Sequence, residues 1–239
     1  MRVLERCAST NAALLAARLT RPVLLAADEQ TAGRGRRGRR WYSAPGCGAL
    51  FSLGLPLRRP ARDLGGLSIV AGVAAVRTLR ALGASDAALK WPNDLLARGA
   101  KLGGILVETR AQGAGSAAVI GVGINHRDAH RLAARLRRGV VALEDILKPL
   151  PERNAVIGAL VRELLAALRA FDADGLGQFR DDWDALHAHA GQRLRVRLAD
   201  GRQLAGIAAG LADDGALQLR TRYGLRSVHS GSVTRARPA

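Results

Sequence analysis

From Gly191 onward the chain alternates. The stretch RLRVRLADGRQLAGIAAGLADDGALQLRTRYGLRSVHSGSV sets apolar and polar residues in turn, and Asp200-Gly201 and Asp214-Gly215 stand where hairpins reverse. A period of two means a half-buried antiparallel sheet, with one face turned to a core and one to water. About fifty residues cannot enclose a large core alone, so this unit must pack on the remainder of the chain. The sequence therefore predicts two units, residues 1–189 and residues 190–239, within a length of 239 that suits one large domain and one small one.

The first unit mixes periods. Ser9 and Thr10 precede NAALLAARL, a capped helix, and the residues leading into it from Met1 read as part of that charged helical pattern. PVLLAAD (Pro22 to Asp28) and GALFSLGLP (Gly48 to Pro56) read as strands. Leu64 to Leu82 is the longest apolar run, but it carries Gly65, Gly66, Gly72 and Arg77, so it reads as a buried helix rather than a membrane span. DLLA and KLGGILVET flank Arg98-Gly99-Ala100 as a hairpin, and SAAVIGVGIN follows as a buried strand ending at Asn125. Apolar residues at helical spacing then predict one helix from Pro151 to Phe171 and a second from Gln178 to His189. Cys7 and Cys47 show neither CxxC nor Cys/His ligand spacing, so no zinc site or disulfide framework is read, and a cytoplasmic, reducing setting is expected.

Between the first two predicted strands lies TAGRGRRGRRWYS, Thr31 to Ser43, with five arginines. The formal charge of the chain is +17, which raises nucleic acid as a partner. Only Lys90, Lys101 and Lys148 are lysines, so much of that charge follows a bias toward arginine, and aromatic residues make up just 3%. Gly33, Gly35 and Gly38 satisfy GxGxxG, yet no helix opens at the third glycine to hold a pyrophosphate, because Arg-Arg-Trp-Tyr-Ser and Pro45-Gly46 follow. No GxxxxGK[ST] occurs. A single glycine-hinged arginine loop between strands instead suits a small phosphate-bearing anion, which a guanidinium meets as a planar fork while glycine admits backbone N–H groups. A solvated basic loop is the plainer alternative.

The second group of candidates is KWPNDLLARGAKLGGILVET, with Lys90, Asn93, Asp94 and Lys101 at a proline turn and on a hairpin. Lys101 enters an otherwise apolar strand, where it must reach water or an anion; an edge-strand lysine that blocks aggregation would read the same way. Gly103 and Gly104 leave room for a ligand or another backbone.

Taken in order, Ser9-Thr10-Asn11, Gln30, GRGRRGRRW, KWPNDL, KLGGILVE and GVGIN resemble the biotin protein ligase family over residues 3 to 235. The resemblance implies an α+β fold, with a central mixed β-sheet and flanking helices related to class II aminoacyl-tRNA synthetases, followed by a small SH3-like β domain. It implies the monofunctional type, without an N-terminal helix-turn-helix domain. The implied activity is formation of biotinoyl-AMP from biotin and ATP, then transfer to a lysine of the biotin carboxyl carrier protein of acetyl-CoA carboxylase. By the same resemblance Ser9, Thr10, Asn11, Gln30, Arg34, Gly35, Arg36 and Lys101 contact biotin, while Arg37, Arg39, Asn93, Asp94 and Asn125 lie near the nucleotide. Lys101, Arg36 and Asp94 are the implied catalytic set, Asp94 orienting either Mg²⁺ or the incoming lysine. No protein metal motif is read, and Mg²⁺ is expected to arrive with ATP. The family often has an acidic residue where Ala8 stands and a second glutamine where Thr31 stands, which leaves the ligand role on Gln30. Lipoate ligase and a basic nucleic-acid-binding protein are the alternative readings. Membrane association and specific DNA binding are not expected, and pairing into a homodimer is left open.

Overall fold

The computed structural model describes residues 1–137 and 139–235. Its larger sheet has seven strands: β1 (Arg2–Cys7), β2 (Val23–Gln30), β3 (Gly48–Leu57), β4 (Ala88–Lys90), β5 (Asp94–Ala97), β6 (Ala100–Gln112) and β7 (Gly115–Asn125). They lie side by side in the order β1-β2-β3-β7-β6-β5-β4. β1 and β2 run parallel and every other neighbouring pair is antiparallel, so the sheet is mixed as expected.

The two faces of this sheet are covered unequally. On one, Phe51, Leu53 and Leu55 of β3 and Ile120, Val122 and Ile124 of β7 enter the main core. That side is roofed by α2 (Leu67–Ala81) and α4 (Arg153–Asp174), which also pack on each other. α2 is buried almost throughout, which accounts for the apolar run that stops short of a membrane span. No helix among the described residues is long and apolar enough to cross a membrane. The opposite face carries a smaller cluster, Leu14, Leu19, Leu25, Ala117 and Val119, under α1 (Thr10–Ala16). α1 is short, so part of this face is left for a site.

The second sheet contains β8 (Arg193–Arg197), β9 (Gln203–Leu211), β10 (Leu217–Thr221), β11 (Gly224–Val228) and β12 (Ser232–Arg235), in the order β11-β10-β9-β8-β12 and wholly antiparallel. Its buried residues Leu194, Val196, Leu217 and Leu219 join the same hydrophobic cluster as Trp91, Trp183 and Leu186. Residues 236–239 of the expected second unit lie outside the described residues.

Three elements differ from the sequence reading. Residues 2–7 form strand β1 and not a lead-in to the first helix. The helix expected over Gln178 to His189 is a single 3-10 turn, Gly177–Phe179, followed by α5, Arg180–Leu186, because His187 already pairs with Leu89 as an isolated bridge. A further helix, α3 (Ala129–Leu136), follows β7.

Candidate functional site

The open part of the α1 face is floored by missing side chains. Gly104 of β6 lies opposite Gly123 of β7, and Gly121 lies opposite both Leu106 and Ser52. A Cβ on Gly121 would come within 2.2 Å of Asn11 Oδ1, and one on Gly123 within 2.6 Å of the Trp41 indole. Gly103 points the other way, where a Cβ would come within 2.6 Å of the Gly123 carbonyl. Of the glycine pair in KLGGILVE, Gly103 admits a neighbouring backbone, while Gly104 lines the cavity, where a Cβ would stand 3.5 Å from the Lys101 ammonium and the Trp41 ring.

Over this floor is a cavity of about 340 Å³, and it gathers residues from every motif singled out above: Ser9, Thr10 and Asn11; Gln30; Arg34, Gly35, Arg36, Arg37 and Arg39; Asn93 and Asp94; Lys101. Arg40, Trp41, Phe51, Lys90 and Trp91 complete much of the wall, and Gly231, Ser232 and Val233 of the second sheet close one side. Seven of the lining side chains are cationic and only Asp94 is a carboxylate.

At one end the polar groups are knotted together. Ser9 caps α1, its Oγ accepting from the Ala12 amide at 3.3 Å. The Thr10 amide and hydroxyl both donate to Gln30 Oε1, at 2.9 and 3.2 Å. The Asn11 amide nitrogen donates to the Leu106 carbonyl at 3.2 Å and to Glu108 at 3.0 Å. Beneath them Ser52, fully buried, sets its hydroxyl 2.7 Å from Thr10 Oγ1 and within hydrogen-bond distance of Asn11 Oδ1. Buried polar groups need such partners, so the knot fixes the rotamers of Thr10, Asn11 and Gln30.

The arginine stretch folds into a small hairpin that stands over the cavity. Arg34 bridges to Arg40, the Gly35 amide donates to the Arg39 carbonyl at 2.7 Å, and the Trp41 amide donates to the Gly33 carbonyl at 2.9 Å. A 3-10 turn at Arg36–Gly38 makes its tip, with Arg37 in the left-handed region at φ 56°. Arg34 pairs with Glu108 at 2.9 Å, Arg37 donates to Ser230 Oγ at 2.9 Å and Arg39 to Ser232 Oγ at 3.4 Å. The loop is therefore held both to β6 and to the second sheet. Burial, then the neighbouring Arg37 charge, pull the Arg36 guanidinium below its ordinary value, and Asp94 opposes them. A crowded, half-desolvated cation of this kind gains more than an exposed one from an arriving anion.

Lys101 and Asp94 form an ion pair across the β5–β6 hairpin, each largely shielded from water. The Lys101 ammonium also lies 5.7 Å from the centre of the Trp41 ring. Asn93 is tied to the frame: its amide donates to the Ile105 carbonyl at 2.7 Å, and its own carbonyl accepts from the Ile105 amide. The peptide between Trp91 and Pro92 just before it is cis.

Asn125 stands apart from the other candidates. Its amide donates to the carbonyls of Lys101 and Val141, both at 3.1 Å, and it lines an adjoining depression with Tyr42, Asp128 and Arg131. The two hollows share Gln30, Arg40 and Trp41. Ser52 and Glu108 were not singled out from the sequence. A lone serine inside the apolar GALFSLGLP and an acid at an inward-facing position after LGGILV were the available signals. Among the described residues no cluster of three or more His, Cys, Asp or Glu is arranged to hold a metal.

Against known proteins, a family profile described as "Biotin/lipoate A/B protein ligase family" matches residues 3–125, and one described as "Biotin protein ligase C terminal domain" matches residues 189–234. The chain is 35% identical to the biotin--[acetyl-CoA-carboxylase] ligase of Mycobacterium tuberculosis over 98% of its own length and 88% of that protein. It is 37% identical to the bifunctional ligase/repressor BirA of Escherichia coli over 81% of its length, a match that spans 60% of that relative. A solved biotin protein ligase from Aquifex aeolicus, in complex with biotin and ATP, superposes with a TM-score of 0.82 over 98% of both chains at 24% identity, a likeness of fold.

Proposed function

The chain belongs to the biotin/lipoate A/B protein ligase family, and on that premise we propose that it is an ATP-dependent biotin protein ligase. In the first step the biotin carboxylate attacks the α-phosphate of ATP, giving biotinoyl-AMP and pyrophosphate. In the second a lysine ε-amine of a carrier domain attacks the mixed anhydride, forming an amide and releasing AMP. The carrier is the biotin carboxyl carrier protein of acetyl-CoA carboxylase, in keeping with the name of the mycobacterial relative, and the cytoplasm is the compartment in which these partners meet.

The observation that carries this reading is the make-up of one cavity, whose wall combines a fixed hydrogen-bonding set of neutral side chains with seven cations. Biotin has the same division, a ureido head that both donates and accepts hydrogen bonds and a carboxylate tail. We assign the head to Ser9, Thr10, Asn11 and Gln30, over the glycine floor. The tail then lies toward Arg34, Gly35, Arg36 and Lys101, where two anions have to be brought together. Their repulsion is the principal barrier to adenylation, and cations already in place lower it without reorganising at the moment of reaction. Lys101, with Arg36, is assigned to the carboxylate and α-phosphate, and Arg37 and Arg39 to the departing pyrophosphate.

Asn93, Asp94 and Asn125 are assigned to the nucleotide side. Asn93 and Asn125 act there by holding backbone, since their amides are committed to carbonyls of β6 and its neighbours. The shared wall at Trp41 lets a nucleotide extend from the cavity into the depression beside Asn125. Asp94 is the one carboxylate on the cavity wall and is already engaged by Lys101. A Mg²⁺ ion entering with ATP would be held chiefly by phosphates and water, with Asp94 as its protein ligand, which fits the small protein share usual for this ion. We take residues 1–189 as the catalytic unit and 190–239 as the second unit.

The test is ATP–pyrophosphate exchange. Exchange that requires biotin is expected; exchange supported by lipoate and not by biotin, or no exchange with either, would overturn the assignment. Lys101→Ala is expected to lower the biotin-dependent rate by about a hundredfold or more.

A further inference from the structure

The positive charge of this chain is not all spent on the cavity. Residues 191–235 hold eight arginines and three aspartates, and the second sheet separates them. All three aspartates sit in turns, each beside a basic partner: Asp200 with Arg202, Asp213 with Arg180, Asp214 with His229. Four of the arginines fall on the outer face, while Arg226 and Arg235 lie opposite the inward-facing Leu219 and Leu194, and Arg202 and Arg222 sit between strands. Along β8, Arg193, Arg195 and Arg197 all point out while Leu194 and Val196 point in. Cross-strand register continues the face: Arg193 lies opposite Ile207, Ile207 opposite Arg220, and Arg220 opposite Leu225. None of Arg193, Arg195, Arg197 and Arg220 makes an ion pair among the described residues.

Like charges at such spacing repel, and a face needed only for solubility is better served by mixed signs. Three arginines two residues apart on one strand also make a straight row with a repeat of about 6.7 Å. Apolar and aromatic groups are interleaved with it. Ile207 is 43% and Leu225 53% exposed, and Tyr223, 69% exposed, stands at the tip of the β10–β11 hairpin with the Arg222 guanidinium 4.5 Å from its ring centre.

We propose that the outer face of the second sheet binds the backbone of single-stranded nucleic acid without regard to sequence, Arg193, Arg195 and Arg220 meeting phosphates and Tyr223 stacking on a base. A row of cations with a stacking platform at its end is what such a strand requires. The arginines of β8 and β10 flank Ile207 on the middle strand, and cations that lack an ion pair among the described residues around so small an apolar patch are complementary to a polyanion. The binding is separate from adenylation, since these residues line neither hollow of the site.

Fluorescence anisotropy of a dye-labelled oligothymidylate with the intact chain tests this. The expected result is saturable binding that weakens steeply between about 50 and 200 mM salt. Replacing Arg193, Arg195 and Arg220 together by Gln should weaken binding at least tenfold and lower the slope of log K against log salt by about 2, at roughly 0.7 per lost phosphate contact. Tyr223→Ala should weaken it several-fold and leave that slope unchanged. Both variants should keep wild-type ATP–pyrophosphate exchange, which shows them folded and makes failure here distinguishable from failure of the ligase reading. The proposal falls if the wild-type chain does not bind, if the triple variant binds equally well, or if polyglutamate displaces the oligonucleotide at equal charge concentration, which would mark the face as a site for an acidic protein.

Discussion

Gly121 shows how little space the site leaves at the residue scale. With Asn11 Oδ1 only 2.2 Å from where a Cβ would stand, Gly121→Ala must displace Asn11 from its bonds to Leu106 and Glu108. Because the methyl group acts on the neutral side chains of the cavity, the expected outcome is a rise in the KM for biotin of about tenfold or more, equivalent to roughly 1.4 kcal/mol of lost binding, with the KM for ATP little changed in the same steady-state assay. The complementary change is Arg36→Gly, which removes a cation from the loop tip and is expected to speed dissociation of biotinoyl-AMP in stopped-flow measurements while leaving the polar knot intact. Most residues of the site were legible in the sequence because charge and glycine are unusual where they occur: Lys101 in an apolar strand, arginines at a turn. Ser52 was not, since a small residue in a buried strand looks like packing until register puts it under Thr10 and Asn11. Asn125 was legible as a strand end, but only the fold shows its amide spent on two carbonyls.

At the scale of elements, period decided what could be read. β3 and β7 are buried on both faces and appear as continuous apolar runs, and β8 alternates cleanly because one face meets the core. β1 has neither signal: as the edge strand it is exposed along most of its length, so RVLERC has no apolar period to betray it. α5 is shorter than its pattern suggested because a tertiary pairing at Leu89–His187, and not propensity, ends it. The packing of α4 against α2 and β3 is where the helices gain their stability. Leu168, fully buried on α4, is the contact to remove. Leu168→Ala is expected to lower unfolding free energy by about 2 to 5 kcal/mol in a urea titration, with exchange activity retained by the fraction that remains folded.

For the whole molecule, the seam between the sheets is held by a buried aromatic cluster. Trp183 stacks on His187, with ring centres 4.6 Å apart, and His189 meets His187 edge-on at 5.9 Å. Burial and then the neighbouring His189 bring His187 to about 4; burial, then Lys90 and Arg235, bring His189 to about 4. The unfolded chain, with both groups at 6.5, therefore binds more protons than the folded one between those values. Stability is full above about pH 6.5 and falls as the pH drops toward 4, where both rings are driven to take up protons that the fold resists. Urea midpoints measured from pH 7 down to pH 4.5 should decline steadily, and His187→Phe, which keeps a ring against Trp183, should flatten the decline.

The cavity wall at Gly231–Val233 and the bonds from Arg37 and Arg39 to Ser230 and Ser232 come from the far end of the chain. The two halves of each of those bonds are 193 residues apart in the sequence. The cavity is therefore a joint property of both sheets, and a change that loosens the second sheet reaches the arginine loop without touching any of its residues.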